Sequence, residues 1–287
     1  MLLSVISASF IIFAGAIRNP HLDDLAPVFP PKYIWLNPHG EKEVDCGLGP
    51  EFAKAKLMLT SSLFDGKSDE MVRIFKDLPP PPGKALYIGD ATVAPSRPWH
   101  ARWHYYMNSA KAWLFKAGVK IQYKILGDQP QGKEAMEKML EGVGVVYFAG
   151  GDHMFLMNAI RTSGFGEALL PRFLDGSIAV VGRSAGTIDA GVDVGFSTER
   201  QSERLLHGDF SGLSLAGRCS LRPHFGGVWL DATRLNGVSE VFDKKAEQQF
   251  ERVAAENITN RLVTLEDGQA LLVKGGRASI VGDPLPH

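Results

Sequence analysis

The residue with the clearest chemical potential is Ser184, which stands between two glycines in the segment GRSAG, directly after a short apolar run. In a G-x-S-x-G pattern the flanking glycines allow a tight strand-to-helix turn that exposes the serine hydroxyl. Ser184 could then attack a carbonyl carbon while the N–H of Ala185, at the start of the following helix, helps to hold the oxyanion. The alternative is a structural turn in which the Ser184 side chain only caps that helix.

A second glycine pair ends an earlier strand pattern. The segment YFAGGDHMF places Gly150 and Gly151 at the carboxyl end of an apolar run, where ligands of open α/β sheets bind. A backbone N–H of this pair could supply the other oxyanion donor. The segment lacks the G-x-G-x-x-G spacing of a dinucleotide site, and the chain has no G-x-x-x-x-G-K-[ST] motif. A phosphate cradle is therefore disfavoured.

A serine nucleophile needs a general base, normally a histidine, and the chain has eight histidines. The segment LRPHFGG places His224 after a short apolar run, in a loop that could return over the sheet. We therefore consider His224 a candidate base, although its spacing alone does not distinguish it from a structural histidine.

The elements that must position these residues alternate between strands and helices from Lys56 onward. The strand patterns are KLMLTSS, KALYIGDA, VKIQYKIL, VGVVYFAGGD and SIAVVGRS, with helical patterns such as KEAMEKMLEG and EALLPRFLDG between them. This alternation predicts an α/β fold with a doubly wound, mostly parallel sheet flanked by helices. The segment QALLVKGGRASIVG predicts a C-terminal β-hairpin at the sheet edge. We expect one domain over residues 54–287, preceded by an irregular extension over residues 1–53.

The composition disfavours several kinds of partner. Lys and Arg total 31 against 32 acidic residues, so the net charge of -1 provides no basic field for nucleic acid. The sequence has no metal-binding or cofactor motif, and we expect neither a metal nor a cofactor. The only cysteines, Cys46 and Cys219, lie far apart without CxxC spacing, so we expect two unpaired thiols. The aromatic segment RPWHARWHYYM is expected to line the core or a pocket.

The first residues, MLLSVISASFIIFAGAIR, allow two interpretations. The apolar run ends in an Ala-Gly-Ala that suits a signal peptidase, but no Lys or Arg precedes it. It is also too short and too interrupted by serine to span a bilayer. We expect a cytoplasmic protein without a membrane partner; secretion, with residues 1–16 as a signal peptide, is the alternative. A homodimer is also compatible with the sequence.

Three motifs together resemble those of a known family. GGD at 150–152, GRSAG at 182–186 and RPHF at 222–225 look like the peptidase E (aspartyl dipeptidase) and cyanophycinase family of serine peptidases. The resemblance runs from Lys56 to Gly282. It implies a fold related to class I glutamine amidotransferases, with serine replacing their nucleophilic cysteine.

The resemblance also implies roles for individual residues. Ser184 would be the nucleophile and His224 the general base, with the amides of Gly151 and Ala185 as the oxyanion site. The acid that orients the imidazole has two candidates, Glu199 in FSTER and Asp267 in a C-terminal LEDG turn. We favour Glu199 and keep Asp267 as the alternative.

The implied substrate is a short peptide, a dipeptide with an N-terminal aspartate, or else an aspartate-linked polymer. Arg183 or Arg234 could bind the aspartate side chain and Asp152 the free amine, although Arg183 could equally point into solvent. The motifs are mixed, because GGD is similar to cyanophycinases and RPHF to peptidase E. The rival hypothesis for the function is a non-catalytic amidotransferase-like binding module. An α/β-hydrolase esterase is disfavoured, because that fold places its histidine close to the C-terminus.

Overall fold

Short apolar strands form the centre of the protein. The computed structural model describes residues 34–36, 43–61, 72–73, 75–76, 84–93, 114, 118–195, 203–224 and 261–283. The strands are β1 (Ile34–Leu36), β2 (Glu43–Val44), β3 (Lys56–Thr60), β4 (Lys84–Ile88), β5 (Lys120–Lys124), β6 (Val143–Phe148), β7 (Ala179–Arg183), β8 (Cys219–Arg222), β9 (Arg261–Thr264), β10 (Ala270–Lys274) and β11 (Arg277–Val281). The α-helices are α1 (Lys133–Met139), α2 (His153–Ser163), α3 (Phe165–Leu174) and α4 (Ala185–Asp189). Short 3₁₀ helices cover Pro50–Lys54, Asp90–Thr92, Leu126–Asp128 and Glu203–Leu206.

Eight of the described strands form one sheet in the order β2-β11-β10-β3-β7-β6-β4-β5. Five neighbouring strands of this sheet, β3, β7, β6, β4 and β5, pair in parallel. This confirms the mostly parallel sheet predicted from the alternation of elements. The β10–β11 hairpin is also present, and it pairs with β3 in antiparallel orientation. It does not form the edge as expected, because the two-residue strand β2 pairs with β11.

Apolar side chains cover both faces of this sheet, as a parallel sheet requires. Every residue of β6 is buried. One face packs against α2 and α3 through residues such as Phe148 and Phe165. The other face carries Tyr87 and Tyr147, whose stacked rings have centroids 5.2 Å apart, and it contacts helical residues such as Phe75. Helices therefore contribute to both faces, as the doubly wound prediction requires.

The described helices are short. The longest, α2, has 11 residues, is capped at its start by Asp152 and ends at Gly164 in the left-handed conformation. Among the residues that the structure describes, no helix has the length and apolar character needed to cross a membrane.

A second, three-stranded sheet with the order β1-β9-β8 was not predicted. Its strands pair in parallel, and β8 and β9 have only four residues each. Such short runs give little periodic signal in the sequence. This sheet matters for function because the chain reaches His224 just after β8 and Asp267 just after β9.

The expectation of two unpaired thiols is wrong. Cys46 and Cys219 form a disulfide across a sequence separation of 173 residues, and both are buried. The backbone N–H of Arg218 also donates to the carbonyl of Cys46, at 2.8 Å. Sequence spacing could not reveal this pair, because only the folded chain brings the segment after β2 against the start of β8.

Candidate active site

The residues singled out by the sequence lie just beyond the carboxyl ends of parallel strands. Gly151 follows β6, Ser184 follows β7, His224 follows β8 and Asp267 follows β9. Ser61, directly after β3, joins them. This is the end of a parallel α/β sheet at which ligands bind.

Ser184 sits on a strained strand-to-helix turn. Its backbone has φ 49° and ψ -105°, a conformation that non-glycine residues rarely adopt. The turn is compact because a Cβ on Gly186 would lie 2.4 Å from the Cβ of Phe148, and one on Gly182 would lie 2.7 Å from the carbonyl oxygen of Gly186. The two flanking glycines are therefore required by close packing as well as by the turn.

The end of β3 anchors this turn. The N–H of Ser184 donates to the carbonyl oxygen of Thr60 at 3.0 Å, and the hydroxyl of Thr187 donates to the same oxygen at 2.7 Å. The hydroxyl of Thr60 in turn donates to the carbonyl of Gly182, at 3.1 Å. These buried hydrogen bonds hold the strained backbone in one conformation.

The Ser184 hydroxyl faces a histidine. Although Ser184 is the N-cap residue of α4, its side chain makes no capping hydrogen bond, so the helix-cap alternative is wrong. Its Oγ lies 2.9 Å from Nε2 of His224. This distance is within hydrogen-bonding range and allows proton transfer from the hydroxyl to the imidazole.

The other ring nitrogen of His224 meets Asp267. Nδ1 lies 2.7 Å from Oδ1 of Asp267, and the two side chains are 20% and 25% exposed. Burial by itself raises the pKa of Asp267, but the hydrogen bond and charge of His224, together with a hydrogen bond from Ser61, hold that pKa below its usual value. The carboxylate is thus ionised at neutral pH and can fix the imidazole tautomer.

Two backbone amides are free of described partners at this edge. The N–H groups of Gly151 and Ala185 donate no hydrogen bond to any described residue. Gly151 has φ 142°, and a Cβ there would lie 2.1 Å from the carbonyl oxygen of Ala91, so only glycine fits. Ala185 is the first residue of α4, where the helix dipole favours negative charge. Both amides have the chemistry of oxyanion donors.

The remaining predicted residues are placed differently. Asp152 is fully buried, and its Oδ1 accepts a hydrogen bond from the N–H of Phe155, at 2.9 Å, to cap α2. Arg183 is 2% exposed, so it does not point into solvent. Glu199 and Arg234 lie outside the described residues. Asp267, the alternative acid, is the carboxylate found on the imidazole.

A buried ionisable pair near the site was missed by the sequence analysis. Asp189 ends α4 and His153 begins α2, and Oδ1 of Asp189 lies 3.6 Å from Nδ1 of His153. Burial raises the pKa of Asp189 to about 7, while His153 partly offsets this effect. His153 directly follows the GGD motif, but nothing in the sequence pairs it with Asp189, which lies in none of the motifs. Among the described residues, no three His, Cys, Asp or Glu side chains are grouped as a metal site.

Comparison with known proteins identifies the family of this chain. The model of peptidase family S51 matches residues 57–281, which is most of the chain. No curated protein sequence gives a significant match.

Solved structures of other proteins share the fold, among them the following two. A crystal structure of a candidate peptidase E protein from Listeria monocytogenes EGD-e superposes with a TM-score of 0.56 at 17% identity, covering 81% of this chain and 99% of that one. A peptidase from an acI-B1 Actinobacterium gives a TM-score of 0.54 at 15% identity, covering 80% of this chain and 88% of that one. At these identities the similarity shows a common fold.

Proposed function

The chain belongs to peptidase family S51, and on that premise we propose that it is a serine peptidase with Ser184 as nucleophile, His224 as general base and Asp267 as the orienting acid. Family membership supports peptidase activity, and the hydrogen-bonded series of these three side chains carries the assignment of roles. The contact distances are 2.9 Å from Ser184 to His224 and 2.7 Å from His224 to Asp267.

The first half of the reaction forms an acyl-enzyme. Oγ of Ser184 attacks the peptide carbonyl carbon while Nε2 of His224 takes the hydroxyl proton. Asp267 holds the Nδ1 proton and stabilises the imidazolium that results. The N–H groups of Gly151 and Ala185 receive the oxyanion. Collapse of the tetrahedral intermediate breaks the C–N bond, and the imidazolium gives its proton to the leaving amine.

The second half of the reaction restores the enzyme. A water molecule gives a proton to His224 and attacks the acyl carbon of the ester. The intermediate then expels Oγ of Ser184, which recovers its proton from the imidazolium. No group other than these side chains, the two amides and water is needed.

The proposed substrate is a short peptide, a dipeptide with an N-terminal aspartate. This specificity rests on the resemblance of the motifs to peptidase E and on the description of the Listeria neighbour as a candidate peptidase E. The GGD motif supports an aspartate-linked polymer as the second substrate class. Of the three residues predicted to contact the substrate, Asp152 and Arg183 are buried. The third, Arg234, lies outside the described residues.

The Cys46–Cys219 disulfide supports the secreted alternative for location. Disulfides persist in oxidising compartments and are rare in the cytosol. The apolar N-terminal run with its Ala-Gly-Ala also suits a signal peptide. A free-thiol count on protein from its native compartment tests this location, since the oxidised protein has no free thiol.

The decisive experiment measures hydrolysis of Asp-Leu, N-acetyl-Asp-Leu and a dipeptide without aspartate. Wild type, Ser184→Ala and the control Ser177→Ala are compared, because Ser177 is an exposed serine just before β7, at the opposite end of that strand from Ser184. We expect cleavage of Asp-Leu alone, loss of activity in Ser184→Ala by at least about a thousandfold, and no loss in Ser177→Ala. Melting curves check that each variant is folded.

Each result has a clear meaning. Cleavage that requires the free amine establishes an aspartyl exopeptidase. Cleavage of an aspartate-linked polymer but no dipeptide moves the specificity to the second substrate class. Wild-type rates in a folded Ser184→Ala variant would refute the serine mechanism.

A further inference from the structure

Ser61 contacts both members of the base–acid pair, although no sequence motif marked it. Its hydroxyl donates to Oδ1 of Asp267 at 2.8 Å and accepts the backbone N–H of His224 at 2.7 Å. The residue is fully buried. A single hydroxyl therefore links the acid and the base through two short hydrogen bonds.

The donor and acceptor roles in these two hydrogen bonds suit the proposed reaction. A serine hydroxyl has one proton to donate and lone pairs that accept. Because the N–H of His224 can only donate, the hydroxyl proton of Ser61 is available to Asp267, which must then accept. Asp267 accepts through the same oxygen that faces Nδ1 of His224. The hydroxyl thus favours the ionised acid that a base–acid pair requires.

The hydrogen bond from the N–H of His224 to Ser61 also restrains an unusual backbone conformation. His224 has φ 58°, in the left-handed region that residues other than glycine seldom adopt. Such a conformation persists only where the surroundings hold it. The hydrogen bond from its N–H to Ser61 is one such restraint, and it fixes the point from which the imidazole reaches Ser184.

The main sheet holds Ser61 itself in place. Its N–H donates to the carbonyl of Gln269, at 3.1 Å, in the turn that leads into β10. The neighbouring Thr60 accepts the N–H of Ser184 through its carbonyl oxygen. Thr60, the last residue of β3, thus supports the proposed nucleophile, and Ser61 supports the base–acid pair.

We propose that Ser61 is a positioning residue of the active site, whose hydroxyl sets the orientation of His224 and Asp267 relative to each other. This inference rests on the proposed function. Ser61 does not touch the reacting atoms in this role. Its removal should slow the chemical steps without weakening substrate binding.

The test compares Ser61→Ala with Ser163→Ala. Ser163 is a matched control because it is also buried and its hydroxyl also makes two hydrogen bonds, donating to the carbonyl of Ile160 and accepting the N–H of Phe165. It lies at the end of α2, outside the base–acid pair. Initial rates with the peptide that wild type cleaves best give kcat and KM across the pH range, and melting curves report stability.

We expect Ser61→Ala to lower kcat about 10- to 100-fold, the cost of one hydrogen bond to a charged group, with KM within about twofold of wild type. The acid limb of its pH–rate profile should move to higher pH, because Asp267 without the Ser61 hydrogen bond attracts the imidazolium proton more strongly. Ser163→Ala should keep both kcat and the pH profile. If Ser61→Ala does not fold, Ser61→Cys, which keeps the shape but donates weakly, replaces it.

Two outcomes overturn the inference separately from the proposed function. A folded Ser61→Ala variant with wild-type kcat and pH profile would show that Ser61 only fills space. An equal fall of kcat in the Ser61 and Ser163 variants would show a general effect of stability. Absence of any turnover by wild type would overturn the proposed function, and the role of Ser61 with it.

Discussion

Removal of the Cys46–Cys219 disulfide should cost the protein a large part of its stability. The bond closes a loop with a sequence separation of 173 residues. In the chain-entropy model, cross-linking a loop of this length lowers the conformational entropy of the unfolded chain, which raises the free energy of unfolding by about 5 kcal/mol at 25 °C. For a chain of 287 residues, this corresponds to a fall of about 8 °C in the melting temperature.

The location of the bond adds a functional consequence. Cys219 is the first residue of β8, the strand that leads to His224. The segment after β2 holds the start of this strand through the disulfide and through the hydrogen bond from Arg218 to Cys46. Loss of the disulfide should therefore loosen the strand that carries the proposed base, and activity should decline at lower temperatures than in the oxidised protein.

The assay is urea unfolding of oxidised wild type, of wild type reduced under denaturing conditions and refolded in reductant, and of the double variant Cys46→Ala/Cys219→Ala. The reduced wild-type protein lacks the disulfide but keeps both cysteine side chains, so it separates the effect of the bond from that of the side-chain volume lost in the double variant. Both should unfold at lower urea concentration than the oxidised protein, and reductant should leave the double variant unchanged. A double variant within about 1 kcal/mol of oxidised wild type would refute the argument from chain entropy.

Two further predictions concern ionisable groups. Asp267→Asn should lower kcat by about 10³- to 10⁴-fold with little change in KM, because an amide cannot stabilise the imidazolium of His224 or impose its tautomer; steady-state kinetics measure this, and a loss below tenfold would exclude Asp267 as the acid. Asp189 has its pKa raised to about 7 by burial, so the folded state binds its proton more tightly than the unfolded state. Stability should therefore fall by up to about 1.4 kcal/mol per pH unit as pH rises from 5 to 7. Asp189→Asn should remove this slope in urea unfolding at each pH, and an unchanged slope would contradict the assignment.

The sequence predicted the main sheet well because its strands are buried on both faces. Runs such as VGVVYF in β6 and AVVGR in β7 are wholly buried, and they alternate with helices of regular spacing. The second sheet was not predicted, although β8 and β9 are also mostly buried. Its strands are short, and β1 pairs with β9 from a part of the chain more than two hundred residues away in sequence.

The candidate site was predictable where a backbone requirement marked it. Ser184 and Gly151 were recognisable because glycine is needed at such turns, and RPHF pointed to His224. The acid was harder to choose, since a carboxylate carries no local signal and its contact depends on where β9 ends. Ser61 was missed for the same reason, because a serine at a strand end matches no motif.

The wide separation of the site residues along the chain determines when the enzyme can first become active during synthesis. The hydrogen bonds of Ser61 span 163 residues to His224 and 206 residues to Asp267. A nascent chain emerges from its N-terminus, so Ser184 leaves the ribosome long before Asp267 does. Until β9 and the turn after it are available, Ser184, the proposed nucleophile, lacks the complete base–acid pair. We therefore expect activity to appear only when β9 and the turn that carries Asp267 have joined the folded domain.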